Sequence, residues 1–251
     1  MIQAITFDFW DTIVADDSDE PKRATQGLLS KPATRLQLFT EEITRHHPQI
    51  TPERAAEAFK YANERFNHYW KNDYVTPSVA SRLQESYAFL EITFTPGFDT
   101  LVQEIEEMEL HIPPDFAPGV HEALAALAAD YKLGIISDTI HTTGRGLRQL
   151  LESQGLLRYF SYFVFSDEFG ASKPAPAVFE QAASGLGVPL VDMVHVGDRE
   201  SNDIAGPLAV GMKAILYTGV IDRRNSAQTR AHAICRNYAD LPAIIAGLDQ
   251  R

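Results

Sequence analysis

Four polar positions in this chain carry side chains that together could transfer a phosphoryl group. Asp8 lies at the end of one apolar run, and Asp198 directly follows another. Ser137 ends another such run, and Lys173 lies in the loop that follows a further one. A carboxylate can act as a nucleophile and form a covalent intermediate, and two carboxylates can hold Mg²⁺, which prefers oxygen ligands. A hydroxyl and a fixed ammonium can bind the oxygens of a transferring phosphoryl group.

The elements that must position these groups are five short apolar runs, predicted to be buried strands. They cover residues 4–9, 132–137, 162–166, 193–197 and 213–217. Helical patterns at 149–154, 178–186, 203–210 and 241–248 alternate with the last four runs. Strands that alternate with helices are typical of a doubly wound α/β domain with a parallel sheet. Because ligands bind outside the carboxyl ends of such strands, we expect the four polar positions to share one edge.

Residues 15–115 differ in character and are predicted to be a helical insertion. Their clearest helix begins at Thr51, which can cap it, followed by Pro52 and Glu53, which favour a first turn. The apolar stripe from Ala55 to Trp70 has helical spacing and predicts a packed face. Two more helices are expected at 81–91 and 99–108. The predicted division is a core of residues 1–14 and 116–251 with a cap of residues 15–115.

In chain order, four segments resemble the motifs of the haloacid dehalogenase (HAD) superfamily. Residues 7–12 (FDFWDT) resemble its DxDxT/V motif, and residues 134–138 (GIISD) resemble its strand that ends in Ser or Thr. Residues 172–179 (SKPAPAVF) resemble its lysine–proline motif, and residues 196–203 (VGDRESND) resemble GDxxxxD. All four in order make a specific signal. The resemblance implies a Rossmann-like α/β core with a helical cap inserted after the first motif, and hydrolase activity.

The resemblance also implies roles for individual residues. Asp8 would be the nucleophile, and Asp8, Asp198 and the backbone carbonyl of Trp10 would bind Mg²⁺. Ser137 and Lys173 would hold the phosphate of a small phosphorylated substrate. Further residues are expected around this centre: Asp203 and Asn202 in supporting contacts, and Trp10, Asp138 and His141 facing the substrate pocket.

One position departs from the phosphatases of that superfamily. They usually carry an aspartate two residues after the nucleophile. This aspartate protonates the leaving group and later activates water. Trp10 occupies that position in this chain and can do neither. General acid–base help is typically worth about 10² to 10⁴ in rate. Asp11, which stands where phosphatases usually carry glycine, is one candidate substitute, and a residue of the cap is another. We favour a local role for Asp11 in bracketing the turn, since aspartate commonly bonds nearby backbone.

Three other functions remain open at this point. The 2-haloacid dehalogenases carry an aromatic residue at the position of Trp10 and act at carbon without metal, but they lack the metal-binding acid that Asp198 supplies. A catalytically weak protein that binds a phosphorylated ligand is the second. Phosphonate-cleaving relatives use a cap lysine as a Schiff base, for which the insertion offers Lys22, Lys31, Lys60 and Lys71. The sequence has no GxSxG elbow, so a serine hydrolase is disfavoured. It also has no glycine-rich turn after the first strand, so a dinucleotide-binding protein is disfavoured.

Composition narrows the class of protein and its partners. The chain has 251 residues and a net charge of −12, so a general nucleic-acid binder is disfavoured, because such binders place cations against phosphates. One cysteine, Cys235, makes no disulfide scaffold, and no apolar run reaches the roughly 20 residues of a membrane span. We therefore expect a cytoplasmic enzyme without membrane or nucleic-acid partners. Monomer and homodimer both remain open.

Overall fold

The computed structural model describes residues 1–224 and 226–249, and its centre is a six-stranded parallel sheet. The strand order is β3-β2-β1-β4-β5-β6. The strands are β1 (Ala4–Phe7), β2 (Lys132–Ser137), β3 (Phe160–Phe165), β4 (Met193–Gly197), β5 (Lys213–Tyr217) and β6 (Ala233–Cys235). The doubly wound parallel sheet that the sequence predicts is confirmed. Strands β2 and β3 lie on one side of β1, and strands β4, β5 and β6 lie on the other. Connections that leave in opposite directions from neighbouring strands create a crevice at the carboxyl ends of β1 and β4.

Apolar side chains bury both faces of the sheet, as a parallel sheet requires. Phe7 and Ile135 belong to the core cluster on one face, and Ile136 and Phe179 belong to a second cluster on the other. Phe7 pairs with both Ile135 of β2 and Val196 of β4, which fixes the register of the three central strands. Because the three central strands are paired and buried, the residues that follow them lie at one fixed edge of the sheet.

Helices cover the sheet and form the region between β1 and β2. The inserted helices are α1 (Glu20–Thr25), α2 (Lys31–His46), α3 (Pro52–His68), α4 (Val79–Leu90), α5 (Phe98–Glu106) and α6 (Met108–His111). The helices of the core are α7 (Val120–Leu127), α8 (Gly144–Ser153), α9 (Ser166–Phe169), α10 (Pro176–Leu186), α11 (Gly206–Ala209) and α12 (Leu241–Leu248). Two π-helical segments, Tyr69–Asp73 and Glu200–Ala205, follow α3 and precede α11.

The inserted helices have a hydrophobic core of their own. Phe39 from α2, Ala58 from α3 and Tyr87 from α4 pack together within it. Thr51 accepts a hydrogen bond from the backbone N–H of Arg54 at 3.3 Å, so the predicted cap of α3 is confirmed. The domain boundaries at 14/15 and 115/116 stay a prediction.

Several element predictions differ from the structure in extent. The first strand ends at Phe7, because the chain turns at Asp8 to form the loop that carries Trp10. Helix α2 and strand β6 were not predicted, since β6 has only three residues and α2 has few apolar side chains along its 16 residues. Among the described residues no helix combines the length and the apolar character that crossing a membrane would require.

Candidate active site

The site is built on the carboxyl ends of β1 and β4. The backbone N–H of Asp8 donates to Val196 O at 2.9 Å, so the chain keeps its strand pairing up to the residue that leaves the sheet. Asp198 directly follows β4, the neighbouring strand. Both carboxylates are buried. The two acids that the sequence predicts at one edge therefore lie side by side at the crevice where the chain reverses.

Lys173 supplies the positive charge of the site. Its Nζ lies 2.7 Å from Asp8 Oδ1 and donates to Asp203 Oδ1 at 2.6 Å. All three side chains are buried. Burial alone would lower the pKa of Lys173, but Asp203 and Asp8 raise it above its usual range, so the ammonium stays protonated. A phosphoryl group that approached Asp8 would meet this fixed charge.

Asp203 holds Lys173 in place through contacts on both of its oxygens. Oδ2 accepts the backbone N–H of Arg199 at 2.9 Å, and Oδ1 lies 3.2 Å from His195 Nε2. His195 Nδ1 lies 2.8 Å from the Thr6 hydroxyl. Burial would raise the pKa of Asp203, yet Lys173 and His195 lower it well below its usual range. A carboxylate can only accept, so the proton of His195 lies on Nε2 and the Thr6 hydroxyl donates to Nδ1.

The contact of the buried His195 with Asp203 is not among the expectations from the sequence. The signal is its place in β4, where His195 and Gly197 are two residues apart and so face the same side of the strand. A Cβ at Gly197 would lie 2.5 Å from the Cβ of Asp203. The glycine before Asp198 is thus required because the Asp203 side chain fills that space.

A cation site is available among three carboxylates. One oxygen each from Asp8, Asp198 and Asp203 lies within 4.8 Å of the others. Asp198 Oδ1 is buried and has no hydrogen-bond partner within the described residues. Burial, together with Asp203 and Asp198, raises the pKa of Asp8 to about 8 despite Lys173, and burial with Asp203 raises that of Asp198 to about 6. Such all-oxygen donor sets suit a hard cation such as Mg²⁺.

Arg223, from the loop after β5, contacts Asp198 and Asp11, and the sequence analysis did not predict these contacts. Its Nε contacts Asp198 Oδ2, and its Nη2 lies 2.5 Å from Asp11 Oδ2. Asp11 has a left-handed backbone with φ of 55°, and its Oδ1 accepts the backbone N–H of Asp16 at 3.0 Å. Both oxygens of Asp11 are thus engaged beside the loop. Only the position of Arg223 after a strand end could have indicated this contact.

A small cavity of about 30 Å³ marks the space in front of Asp8. Both tryptophans, Trp10 from the loop and Trp70 from the inserted helices, line it. Its other lining residues are Asp8, Asp138, Ile140, Lys173, Arg199, Asn202 and Asp203. Trp70 was predicted to be part of a packed helical face, but its indole N–H donates to Asp138 Oδ2 at 3.0 Å. The inserted region thereby closes over the site.

The remaining predicted site residues take different places. Asp138 also accepts the backbone N–H of Lys173 at 2.9 Å and the Asn202 amide at 3.3 Å, which places Asp138 and Asn202 beside the lysine. Ser137 is buried at the end of β2, where its hydroxyl is 3.4 Å from the Asp138 carbonyl, and it is not among the lining residues. His141 lines a neighbouring cavity instead.

Comparisons with known proteins agree with this geometry. The haloacid dehalogenase-like hydrolase family matches residues 2–211. The haloacid dehalogenase-like hydrolase domain-containing protein 3 of Danio rerio is 31% identical over 111 residues, which are 44% of this chain and 46% of that protein. This match spans less than half of the curated relative. A glyceraldehyde 3-phosphate phosphatase of Methanopyrus kandleri is 26% identical over 222 residues, 86% of this chain and 83% of that protein.

Solved structures share the fold over nearly the whole chain. A HAD phosphatase from Thermococcus onnurineus superposes with a TM-score of 0.65 at 24% identity, covering 98% of this chain and 99% of that one. The HAD hydrolase YfnB from Bacillus subtilis, solved with bound magnesium, gives 0.62 at 16% identity, covering 98% and 99%. The family match over residues 2–211, the strand order and the cluster of Asp8, Lys173 and Asp198 show that this chain belongs to the haloacid dehalogenase-like hydrolases.

Proposed function

We propose that this enzyme is a Mg²⁺-dependent phosphatase that hydrolyses small phosphate monoesters through an aspartyl-phosphate on Asp8. One observation carries the proposal. The Lys173 ammonium lies 2.7 Å from Asp8 Oδ1, and Asp198 has a buried oxygen without a partner among the described residues. A nucleophilic carboxylate, a fixed cation and a carboxylate oxygen free to bind a metal are what transfer of a phosphoryl group needs.

The reaction would run in two steps at the Asp8 carboxylate. In the first, an Asp8 oxygen attacks phosphorus, the bond from phosphorus to the ester oxygen breaks, and that oxygen leaves with the electron pair. In the second, water attacks the phosphorus of the aspartyl-phosphate, the bond from phosphorus to the Asp8 oxygen breaks with its electron pair left on Asp8, and the proton of the water passes to solvent, which releases inorganic phosphate and restores Asp8. Lys173 stabilises the oxygens that gain charge in both steps. Asp203 accepts a hydrogen bond from Lys173 and another from the backbone N–H of Arg199, and these two bonds hold the ammonium beside Asp8.

Asp8, Asp198 and the backbone carbonyl of Trp10 would hold Mg²⁺. The orphaned Asp198 Oδ1 and the all-oxygen donor set fit that ion. When bound, Mg²⁺ offsets the repulsion between a carboxylate nucleophile and an anionic phosphoryl group. Arg223 occupies only the other Asp198 oxygen, so the chain leaves one oxygen for the metal.

Protonation of the leaving group has no assigned residue. Trp10 lines the Asp8 cavity and cannot transfer a proton, and both Asp11 oxygens are engaged with Asp16 N–H and Arg223. This arrangement supports the local role of Asp11 over its role as a substitute acid. It favours esters whose alcohol leaves without much protonation, or a slow reaction on others.

Hydrolysis of p-nitrophenyl phosphate tests the proposal, because this leaving group needs little protonation. We expect turnover that requires Mg²⁺ and disappears in Asp8→Asn. Asp130→Asn, at an exposed position in the loop before β2, is the matched control and should behave as the wild type. An acid-quenched reaction should yield protein that carries one phosphoryl group on the peptide containing Asp8. Full activity in EDTA or in Asp8→Asn would contradict the proposal.

A second function is favoured by one observation. Trp10 forms an aromatic wall of the Asp8 cavity, as the resemblance to 2-haloacid dehalogenases implies. In that case Asp8 would displace halide from carbon, and water would hydrolyse the resulting ester. The retained Asp198 opposes this reading. Release of chloride from 2-chloropropionate in EDTA, without phosphatase activity, would establish it.

A further inference from the structure

A second cavity opens next to the Asp8 cavity, at the boundary between the inserted helices and the sheet. It has a volume of about 200 Å³ and shares Trp10, Ile140 and Arg199 with the smaller cavity. Arg35 and His141 line its other side. Because the phosphoryl group must meet Asp8 in the small cavity, the larger one is the adjoining space for the rest of the substrate.

The side chains buried around this cavity carry one positive charge too many. Five charged side chains that line this cavity or contact a side chain that lines it are each more than nine-tenths buried: Lys31, Arg35 and Arg82 are cations, and Asp19 and Glu109 are anions. Lys31 pairs with Asp19 at 2.8 Å, and Arg35 pairs with Glu109 at 3.0 Å. In residues 1–224 and 226–249, Arg82 has no carboxylate within 4 Å.

The exposed acids nearby do not remove this surplus. Asp16 and Asp17 lie at the open side of the cavity, 4.0 Å and 3.2 Å from Lys31. Their carboxylates reach solvent, where water and salt screen their charge. A buried guanidinium without an anion is unfavourable, since its desolvation is not repaid. Arg82 stacks on the Phe66 ring at 3.6 Å, which offsets part of this cost without supplying a negative charge, so the buried side chains beside the cavity keep a net positive charge that an anion would offset.

The donors around the cavity point to the same conclusion. Arg35, which lines the cavity, has an Nε that is buried without an acceptor among the described residues, and so has Arg82. Arg82 donates to the Ile140 carbonyl at 2.6 Å, and its Nη1 lies 2.9 Å from His141 Nε2. A guanidinium can only donate, so His141 accepts at Nε2 and keeps its proton on Nδ1.

The histidine is neutral in this arrangement. Burial lowers the pKa of His141 well below its usual range, and the nearby Arg35, Arg82 and Lys31 lower it further. Its Nδ1–H is then its one remaining donor. Arg35, His141 and Arg199 thus give the cavity wall several donors, and the buried carboxylates Asp19 and Glu109 are already paired.

We propose that this cavity binds a second anionic group, so that the substrate is a small phosphate monoester with a carboxylate or second phosphate on its leaving-group side. The proposal rests on the proposed phosphatase function and deepens it. Arg35 and Arg199 would pair with the anion, His141 would donate to it, and Arg82 would orient His141 from behind. The volume of about 200 Å³ suits a short carbon chain.

A matched pair of substrates tests the proposal. 3-Phosphoglycerate and glycerol 3-phosphate have the same carbon chain and differ by a carboxylate in place of a hydroxymethyl group. We expect kcat/KM to be at least about tenfold higher for the carboxylate, since a hydrogen bond to a charged group is worth about 10- to 100-fold. Glycerol 1,3-bisphosphate, run beside them, shows whether a carboxylate or a second phosphate is preferred.

Variants then locate the preference. Arg35→Gln should lower the ratio of kcat/KM for 3-phosphoglycerate over glycerol 3-phosphate by about 10- to 100-fold, chiefly through KM. Arg45→Gln, at the exposed end of the same helix α2, is the matched control and should keep the wild-type ratio. Arg35→Lys keeps the charge but loses the planar fork, and should give an intermediate ratio even if Arg35→Gln folds poorly.

The outcomes separate the two proposals. Hydrolysis of p-nitrophenyl phosphate that needs Mg²⁺ and Asp8, with no preference for either anionic substrate, would overturn the second-anion site and leave the phosphatase standing. An unchanged ratio in both Arg35 variants would also overturn it. Absence of turnover on every phosphate ester would remove the phosphatase and this inference with it.

Discussion

Replacing Asp203 by asparagine should destabilise the fold by about 3 kcal/mol. The carboxylate accepts from the Lys173 ammonium and the Arg199 N–H, and it contacts His195 Nε2. An amide has one accepting oxygen, so its NH₂ must face one of these donors. One charge-assisted bond, worth about 1.5–3 kcal/mol, is lost, and one buried donor is left unsatisfied at about 1–3 kcal/mol. The sum lies near the lower end because Lys173 keeps its contact with Asp8.

Urea denaturation followed by tryptophan fluorescence measures this loss. The chain has two tryptophans, and Trp10 and Trp70 both line the Asp8 cavity, so the signal reports on the site and on the inserted helices together. Asp192→Asn is the matched control. Asp192 pairs with the N-terminal ammonium at the surface, where an ion pair is worth about 0–1 kcal/mol.

The pH dependence of the free energy of unfolding tests the same contact in a second way. The pKa of Asp203 is lower in the folded protein than the usual value, so its contribution is complete above the unfolded pKa of about 3.9 and is lost as pH falls towards the folded pKa. The gap between wild type and Asp203→Asn should therefore narrow below about pH 4. A loss under about 1 kcal/mol at pH 7, equal to that of the surface control, would refute the view that Asp203 neutralises Lys173.

Three further changes test other parts of the site. Trp10→Asp supplies the missing acid, and it should raise kcat/KM for an alkyl phosphate relative to p-nitrophenyl phosphate by at least about tenfold; an unchanged ratio would contradict this. Arg223→Gln removes a cation from Asp198. Two unit charges about 4 Å apart in water interact by about 1 kcal/mol, and Mg²⁺ carries two, so calorimetry should show roughly tenfold tighter Mg²⁺ binding; weaker binding would oppose the argument. Gly197→Ala should cost about 1–3 kcal/mol in thermal denaturation, whereas Gly247→Ala, with open space around it, should not destabilise.

The placement of Asp8 and Asp198 at one edge of the sheet could be predicted because it depends on few things. Buried strands are short apolar runs, parallel strands end at one edge, and the residue after each strand projects into the crevice there. Strands β2, β4 and β5 have the predicted limits, and the sheet order places β1 and β4 as neighbours. Local patterns were therefore enough to bring Asp8 and Asp198 together, whereas Ser137 does not line the cavity in front of Asp8.

Contacts between elements far apart in sequence could not be predicted in the same way. Arg223 reaches Asp11 across 212 residues, and Trp70 reaches Asp138 from the inserted helices. Neither residue type is unusual for its own segment, since an arginine in a loop and a tryptophan on an amphipathic helix are ordinary. Their partners are decided by how the helices pack over the sheet, which periodicity along one segment does not specify.

The two departures from the phosphatase pattern, Trp10 and Asp11, are adjacent in sequence but serve opposite sides of the loop. Trp10 lines both cavities, on the side where the leaving group would lie. Asp11 has a left-handed backbone, which costs a side chain about 1–2 kcal/mol, and its carboxylate contacts Arg223, which in turn contacts Asp198. The strain is thus retained where it fixes, through Arg223, a contact to Asp198. If the proposed function holds, Asp8, Lys173 and Asp198 keep the arrangement that phosphoryl transfer needs, and Trp10 changes how the enzyme treats the leaving group.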